Sequence, residues 1–298
     1  MQGNDAAAIV TVGIPFLNAE KYLEMAITSV FAQTLANWQL ILIDDGSSDD
    51  SLEIARSFTT DPRVTVVSDG MNLGLAARLN QISEVATTPF LARMDADDLM
   101  STFRLEMQVT YILQHAEIDL TATGLISMSD ACDYQGHRFS PWSSASTCSF
   151  LMHKTSIAHA TVLGRTEWFI RNPYRSKFER SEDIELWVRA TERKDLKIAF
   201  LADNLYFYRE FESTASQKTR ASIKSHRRIA REYPMTFRER SRVSARLALA
   251  HTISVLSTSR LVRTLIQRRR NSNIASSENR ELFEIELLKV SALHSSLS

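Results

Sequence analysis

Apolar and polar positions along the first half of the chain switch repeatedly between a two-residue and a 3.6-residue period. Ala8-Ile9-Val10-Thr11-Val12-Gly13-Ile14-Pro15 is rich in β-branched residues and predicts a strand ended by proline. Tyr22, Leu23, Ala26, Ile27, Val30 and Phe31 then keep helical spacing, which predicts a helix with Asn18 as its N-cap. Trp38 to Ile43 predicts a second strand running into Asp44-Asp45-Gly46-Ser47-Ser48-Asp49-Asp50, with a helix from about Ser51. Val64 to Val67, a loop to Gly74 and a helix through Arg78, Leu79 and Ile82 repeat the unit, and Thr88 to Met94 predicts a fourth strand. Strands alternating with helices imply right-handed crossovers and an α/β fold with a mainly parallel sheet flanked by helices. The carboxyl ends of those strands lie on one side, so Pro15 and Phe16, Asp44 and Asp45, and the acids after Met94 are expected to meet in one crevice.

The second half predicts a helix over Phe103 to His115, a strand over Ile118 to Met128 and a turn at Asp133-Tyr134-Gln135-Gly136. Serines dominate residues 140 to 149, which read as a mobile loop beside the site. His159 opens an apolar strand reaching Arg165. Ser181 is the expected N-cap of a helix with Ile184, Trp187 and Val188 on one face, and Lys197 to Phe207 predicts a further strand. Beyond about Ala221 the composition shifts to helix formers and arginine. Val243, Leu247, Leu261 and Leu265 share a helical face, and a second amphipathic segment surrounds Leu282, Ile285, Leu288 and Val290. The expected division is a catalytic region over 1–216, with halves 8–115 and 116–216, followed by a basic helical extension over 217–298.

Composition narrows the classes. The 298 residues, 44% hydrophobic and 23% charged, suffice for one large domain with an appendage or for two domains. Lys+Arg and Asp+Glu are 35 each, yet from Arg220 to Arg270 there are 14 basic residues against only Glu232 and Glu239. That asymmetry points to an anionic partner such as a phospholipid surface, or to a solvated helical face; nucleic acid is not the expected partner. Cys132 and Cys148 form no disulfide framework and no CxxC pair, in keeping with a reducing compartment. The amino terminus lacks the basic region of a signal peptide, and no apolar run approaches the roughly 18 residues that span a bilayer. A cytoplasmic protein is expected, at most peripheral at the inner face of the cytoplasmic membrane.

Met94-Asp95-Ala96-Asp97-Asp98 concentrates the candidate chemistry. Three carboxylates in four residues repel one another, and a hard cation such as Mg²⁺ or Mn²⁺ relieves the repulsion while bridging to phosphate oxygens. An acidic turn capping the next helix accounts for the same residues. A calcium loop of the EF-hand kind fails at Leu99 and Met100, where an oxygen ligand and the turn glycine belong. Neither G-x-G-x-x-G nor G-x-x-x-x-G-K-[ST] occurs, so metal and side chains must neutralise any phosphate.

Ile14-Pro15-Phe16-Leu17-Asn18, Ile43-Asp44-Asp45-Gly46-Ser47-Ser48-Asp49, Asn72-Leu73-Gly74-Leu75-Ala76 and Met94-Asp95-Ala96-Asp97-Asp98, in this order, closely resemble the family 2 glycosyltransferases with the GT-A fold. The resemblance covers roughly residues 8 to 215 and implies binding of a nucleoside diphosphate sugar. Pro15, Phe16 and Asn18 would then lie at the nucleotide, with Asp45 bonding the base, Asp95 near ribose or metal, and Asp97 ligating the cation. Arg78 and Arg93 look like further nucleotide-side contacts or partners of neighbouring carboxylates. Glu182-Asp183 matches the family's E-D motif, which implies Asp183 as the base of an inverting displacement on an acceptor hydroxyl, saccharide or lipid-linked. Asp98, His159, Glu182, Trp187, Arg209 and Ser213 would stand on the diphosphate or acceptor side. Phe211 departs from the pattern, since many members carry a metal-ligating histidine there; Glu210 or Glu212 is the expected substitute, or more water on the metal. Two other readings stay open: a sugar-phosphate nucleotidylyltransferase, which wants a glycine-rich basic loop where Pro15-Phe16-Leu17-Asn18 stands, and a non-catalytic nucleotide-sugar binder.

Overall fold

Each predicted strand-helix unit of the first half forms: β1 (Val10–Phe16), α1 (Leu23–Phe31), β2 (Trp38–Asp44), α2 (Ser51–Ser57), β3 (Val64–Ser68), α3 (Leu75–Val85) and β4 (Phe90–Arg93). A short β5 (Leu99–Met100), α4 (Arg104–Gln114), β6 (Leu120–Met128), β7 (Tyr134–Arg138), α5 (Thr147–Leu151), β8 (Leu163–Arg165), α6 (Thr166–Arg171), α7 (Glu182–Glu192) and β9 (Ile198–Arg209) follow. The chain ends in α8 (Ala215–Glu232), α9 (Phe237–Leu256) and α10 (Ser277–Leu297). The computed structural model describes residues 7–139, 142, 144–210, 215–256 and 277–297.

Nine strands make one sheet in the order β3-β2-β1-β4-β8-β6-β9-β5, with β7 on β6. Pairing is parallel from β3 to β4 and between β6 and β9; β8 turns the sheet by pairing antiparallel with both β4 and β6. Val10, Val12, Ile14 and Phe16 face a core shared with α1 and α4, and Ile41, Ile43 and Leu91 face another shared with α3, α6 and α7. Gly13 lets α3 come close, since a Cβ there would stand 2.5 Å from the Ile82 side chain.

The first strand does not stop at Pro15, which pairs in register with Ile43. The Phe16 carbonyl accepts from Asp45 on the β2 side, so the Pro15 nitrogen points to the β4 side, where pairing has already ended at Gly13 and Arg93. The missing N–H ends the β1–β4 ladder just past the bond from the Met94 N–H to the Gly13 carbonyl and leaves the β1–β2 pairing intact, so proline is tolerated.

Several local expectations change. Asn18 is not the helix N-cap: α1 begins at Leu23, and Asn18 has φ 50°, donates its N–H to Ser47 Oγ at 3.0 Å and accepts from the Ser48 N–H at 2.8 Å. Asparagine tolerates the left-handed region, and bonding the acidic loop outweighs capping. The turn after β6 closes between Ser129 and Asp133, leaving Tyr134 and Gly136 in β7. The serine-rich stretch ends in α5, whose Ser146 and Ser149 form a reciprocal capping box. His159 to Thr161 is a 3₁₀ turn rather than strand, because Thr161 and Val162 bond back to Ala158 and His159.

Val243 and Leu247 are buried in the second core with Ile223 and Ile229, so α8 and α9 pack on the sheet domain through those residues. Leu261, Leu265 and Ser213 lie outside the described residues. In α10 the packed face is Phe283, Glu286 and Val290, while Leu282, Ile285 and Leu288 are 41%, 46% and 70% exposed. Glu286 accounts for this rotation: it is fully buried and accepts from Thr102 N–H at 2.6 Å, Thr102 Oγ1 at 2.8 Å and Ser101 Oγ at 3.1 Å. An apolar count along the helix could not show that a carboxylate would face inward. No described helix is long and apolar enough to cross a membrane.

Candidate active site

A cleft of about 580 Å³ opens at the carboxyl ends of β1 and β2. Pro15, Phe16 and Asp45 line one wall, residues 72–76 and Arg78 a second, and Ser176, Glu179, Arg180 and Glu182 the third. Pro15, Phe16, Asp45, Arg78 and Glu182 are thereby together, as the strand order requires. Asn18 sits at the exposed Ser47-Ser48 loop beside them.

Asp45 is buried and heavily bonded. Its Oδ1 accepts from Leu73 N–H at 2.7 Å and Arg78 Nε at 2.9 Å, and its Oδ2 from Gly74 N–H at 3.1 Å. Gly74 has φ +84°, a conformation that suits glycine and aims its N–H at the carboxylate. Arg78, fully buried, also bonds Asp69, Gln81 Oε1 and the Met71 carbonyl. Hydrogen bonding by Arg78 holds Asp69 down to about 2. Of the two roles open to Arg78, carboxylate pairing is the one seen, and it fastens the loop over the cleft.

Asp95, Asp97 and Asp98 bring carboxylate oxygens within 4.8 Å of one another, the sole such acidic cluster among the described residues. Arg93 bonds both Asp95 oxygens, and the Asp95 N–H donates to the Tyr206 hydroxyl at 3.1 Å. Asp98 accepts the Arg209 N–H at 2.7 Å with one oxygen, while its other oxygen is buried without a partner. Burial, then Asp95, pushes Asp97 upward; burial, then Asp95 and Asp97, pushes Asp98 well upward. An unpartnered buried carboxylate oxygen among three hard donors fits a divalent cation, which would favour the ionised forms. The Arg209 guanidinium bonds the carbonyls of Asp97, Ser129 and Asp130 and so holds the acidic turn. Glu210 bonds Ser127 Oγ and Arg138 rather than joining the cluster, and Phe211 and Glu212 lie outside the described residues.

Asp183 follows Glu182 at the start of α7. Burial first, and the neighbouring Glu182 charge second, raise its pKa to about 6, with Arg93 opposing. The same arginine acts on Asp97, His159 and Tyr174, so the acidic turn and the α7 start share one electrostatic neighbourhood. His159 Nε2 lies 2.7 Å from the Tyr174 hydroxyl, and burial and Arg93 keep the imidazole neutral by pulling its pKa well below the usual value. Trp187 is buried, 6.0 Å from Trp168 in a stack and edge-on to His159. It supports His159 from the core and does not line the cleft described above.

Tyr174 and Tyr206 carry no signal in the sequence, since a lone tyrosine, whether after Asn172-Pro173 or in the apolar run of β9, has no spacing pattern to mark it. Arg104 carries none either. Its guanidinium bonds the carbonyls of Arg93, Ala160 and Val162, tying β4 to the turn that carries His159, and burial lowers its pKa to about 10.

A parallel first half with a carboxylate-bearing crevice at its strand ends, continued through the antiparallel β8 into a mixed second half, defines a GT-A-type fold. The chain belongs to glycosyl transferase family 2, whose sequence profile matches residues 11–176. It is 34% identical over 185 residues to the putative glycosyltransferase EpsE of Bacillus subtilis, covering 60% of this chain and 66% of that one. It is 30% identical over 181 residues to the Escherichia coli UDP-Glc:alpha-D-GlcNAc-diphosphoundecaprenol beta-1,3-glucosyltransferase WfgD, covering 60% and 68%. The chain thus spans about two thirds of the length of these relatives. Among solved structures, S. aureus TarS 1-349 in complex with UDP-GlcNAc superposes with a TM-score of 0.61 at 14% identity, covering 97% of this chain and 90% of that one. Mannosyltransferase PcManGT from Pyrobaculum calidifontis, in complex with GDP-Man and Mn²⁺, gives 0.58 at 13% identity, covering 97% and 88%.

Proposed function

We propose that this chain is a metal-dependent inverting glycosyltransferase that moves a sugar from a UDP-sugar to an acceptor hydroxyl, in surface polysaccharide or glycolipid synthesis. The observation that carries it is the neighbourhood of Arg93: a carboxylate with pKa about 6 at Asp183 and a three-carboxylate cluster lie in the field of one buried arginine, and Glu182 next to Asp183 lines the 580 Å³ cleft. Asp183 is ionised at neutral pH and basic enough to take the acceptor hydroxyl proton. The acceptor oxygen forms its bond to the anomeric carbon from the face opposite the diphosphate, and the electron pair of the breaking bond leaves on the diphosphate oxygen. Asp97 and Asp95 would hold Mn²⁺ or Mg²⁺, which when bound offsets the charge developing on the leaving group.

The nucleotide would occupy the Pro15, Phe16 and Asp45 wall, with the loop held by Arg78 closing over it. Uracil is favoured because WfgD carries UDP-Glc in its name and TarS was solved with UDP-GlcNAc. Residues 1–216 would carry catalysis and 217–298 the packed helical extension, with the enzyme cytoplasmic and peripheral to an anionic membrane. Asp183→Asn is the decisive variant. UDP and UDP-sugar binding, measured calorimetrically with Mn²⁺, is expected to stay within about twofold while transfer falls by roughly 10³-fold or more. Retained transfer in that variant, or tighter binding of GDP-sugars than UDP-sugars by the wild type, would overturn the mechanism or the donor respectively.

A further inference from the structure

We propose that the basic face of α8 binds a phosphate or diphosphate group carried by the acceptor, so that the second substrate is a phosphate-linked saccharide. This rests on the transferase reading above and adds the chemistry of the group that enters opposite the donor.

The described part of α8 divides cleanly. Ile223, His226, Ile229 and Ala230 are buried, and Arg220, Lys224, Arg227, Arg228 and Arg231 are exposed. Arg220, Lys224, Arg227 and Arg231 recur at spacings of four, three and four on successive turns of one face, with Arg228 beside them, where like charges destabilise a helix. Counter-charge is scarce: Glu232 pairs with Lys177 and Arg228, both at 2.9 Å, and no ion pair is formed by Arg220, Lys224, Arg227 or Arg231 among the described residues. The buried face holds the helix in place, so the repulsion persists in the folded protein. A multivalent anion seated between the cations relieves it.

The face is hollow rather than flat. A cleft of about 510 Å³ lies between α8 and the segment carrying Lys177 and Glu179, and another of about 360 Å³ lies between α8 and His251 of α9. Lys224 and Arg231 border both hollows, and Glu179 borders both the first hollow and the donor cleft. The three spaces therefore stand in series. Glu182, the neighbour of the proposed base Asp183, lines the same donor cleft as Glu179, so the first basic hollow adjoins the cleft through Glu179. A bilayer contact is the other source of phosphate, but a helix lying on a membrane needs an exposed apolar face. None of the large exposed apolar residues belongs to α8.

The test uses the full chain and Lys224→Ala/Arg231→Ala, which leaves the buried face of α8 untouched. Inorganic pyrophosphate is titrated calorimetrically into protein saturated with UDP and Mg²⁺, so that the donor cleft is already filled. The wild type is expected to bind pyrophosphate, and the double variant to bind it at least about tenfold more weakly with UDP affinity unchanged within about twofold. Should the double variant fold poorly, judged by its thermal midpoint, Arg227→Glu at a single exposed position replaces it with the same expectation. Equal pyrophosphate binding by wild type and variant, or none by either, overturns the proposal. So does a variant that loses binding to phosphatidylglycerol vesicles while pyrophosphate binds neither protein, which assigns the patch to a bilayer. Failure of UDP to bind the wild type overturns the transferase reading instead, and is read out separately.

Discussion

Replacing Glu182 by glutamine tests whether Asp183 is tuned as a base by its surroundings. Asp183 has its pKa raised from the ordinary 3.8 to about 6, burial being the larger cause and the Glu182 charge the next. A base with pKa near 6 is about 90% ionised at pH 7 and about 10% at pH 5, so the wild-type kcat/KM should fall roughly tenfold across that interval, along a limb of unit slope. Glu182→Gln removes the second cause and keeps the first. The limb should move toward lower pH by about half a unit to one unit, stopping short of 3.8 because desolvation remains. Glu182 also lines the donor cleft, so its loss can alter the plateau rate. The inflection point, obtained by normalising each profile to its own plateau, is insensitive to that. The assay is initial-rate release of UDP at subsaturating donor between pH 4.5 and 8, at fixed ionic strength and saturating Mn²⁺. An unmoved inflection, or a shift toward higher pH, would refute the placement of the like charge beside the base.

Stability gives an independent check. A folded-state pKa above the unfolded one means that native protein binds the proton more tightly, so the stabilising contribution of this group is complete below pH 3.8 and lost as pH rises through about 6. Asp183→Asn should therefore be more stable than wild type at pH 7.5 by about 1 to 2 kcal/mol, after allowance for partial exposure, and no more stable near pH 4. Differential scanning calorimetry at the two pH values measures it. Arg78→Ala leaves Asp45 and Asp69 without their cation and frees the 71–74 loop; a loss of about 3 kcal/mol in urea unfolding, with weakened UDP binding, is expected. Asp97→Asn should abolish the rise in thermal midpoint that Mn²⁺ with UDP gives the wild type, while the midpoint of the protein alone changes little. Glu286→Ala orphans the Thr102 N–H and two hydroxyls and should cost about 2 to 4 kcal/mol, whereas Leu288→Ala on the exposed side of the same helix should cost less than about 0.5.

Hydrophobic periodicity by itself determined the strand and helix order of the first half, because each unit packs locally and its pattern is set by which face meets the core. The strand-end acids were readable for the same reason: in a parallel sheet every carboxyl end points to one side, so Asp45 and Asp97 had to share it whatever the loops did. Glu182 and Asp183 stood out through motif resemblance and their position at a helix start. Tertiary structure decided what depends on contacts between distant segments. It gave Arg78 to Asp45 and Asp69, gave Arg209 to backbone carbonyls, turned Glu286 of α10 inward, and set Tyr174 and Tyr206 against His159 and Asp95. In each case a buried polar group had to find its partner after the chain had folded back on itself, and no local pattern records which partner that will be.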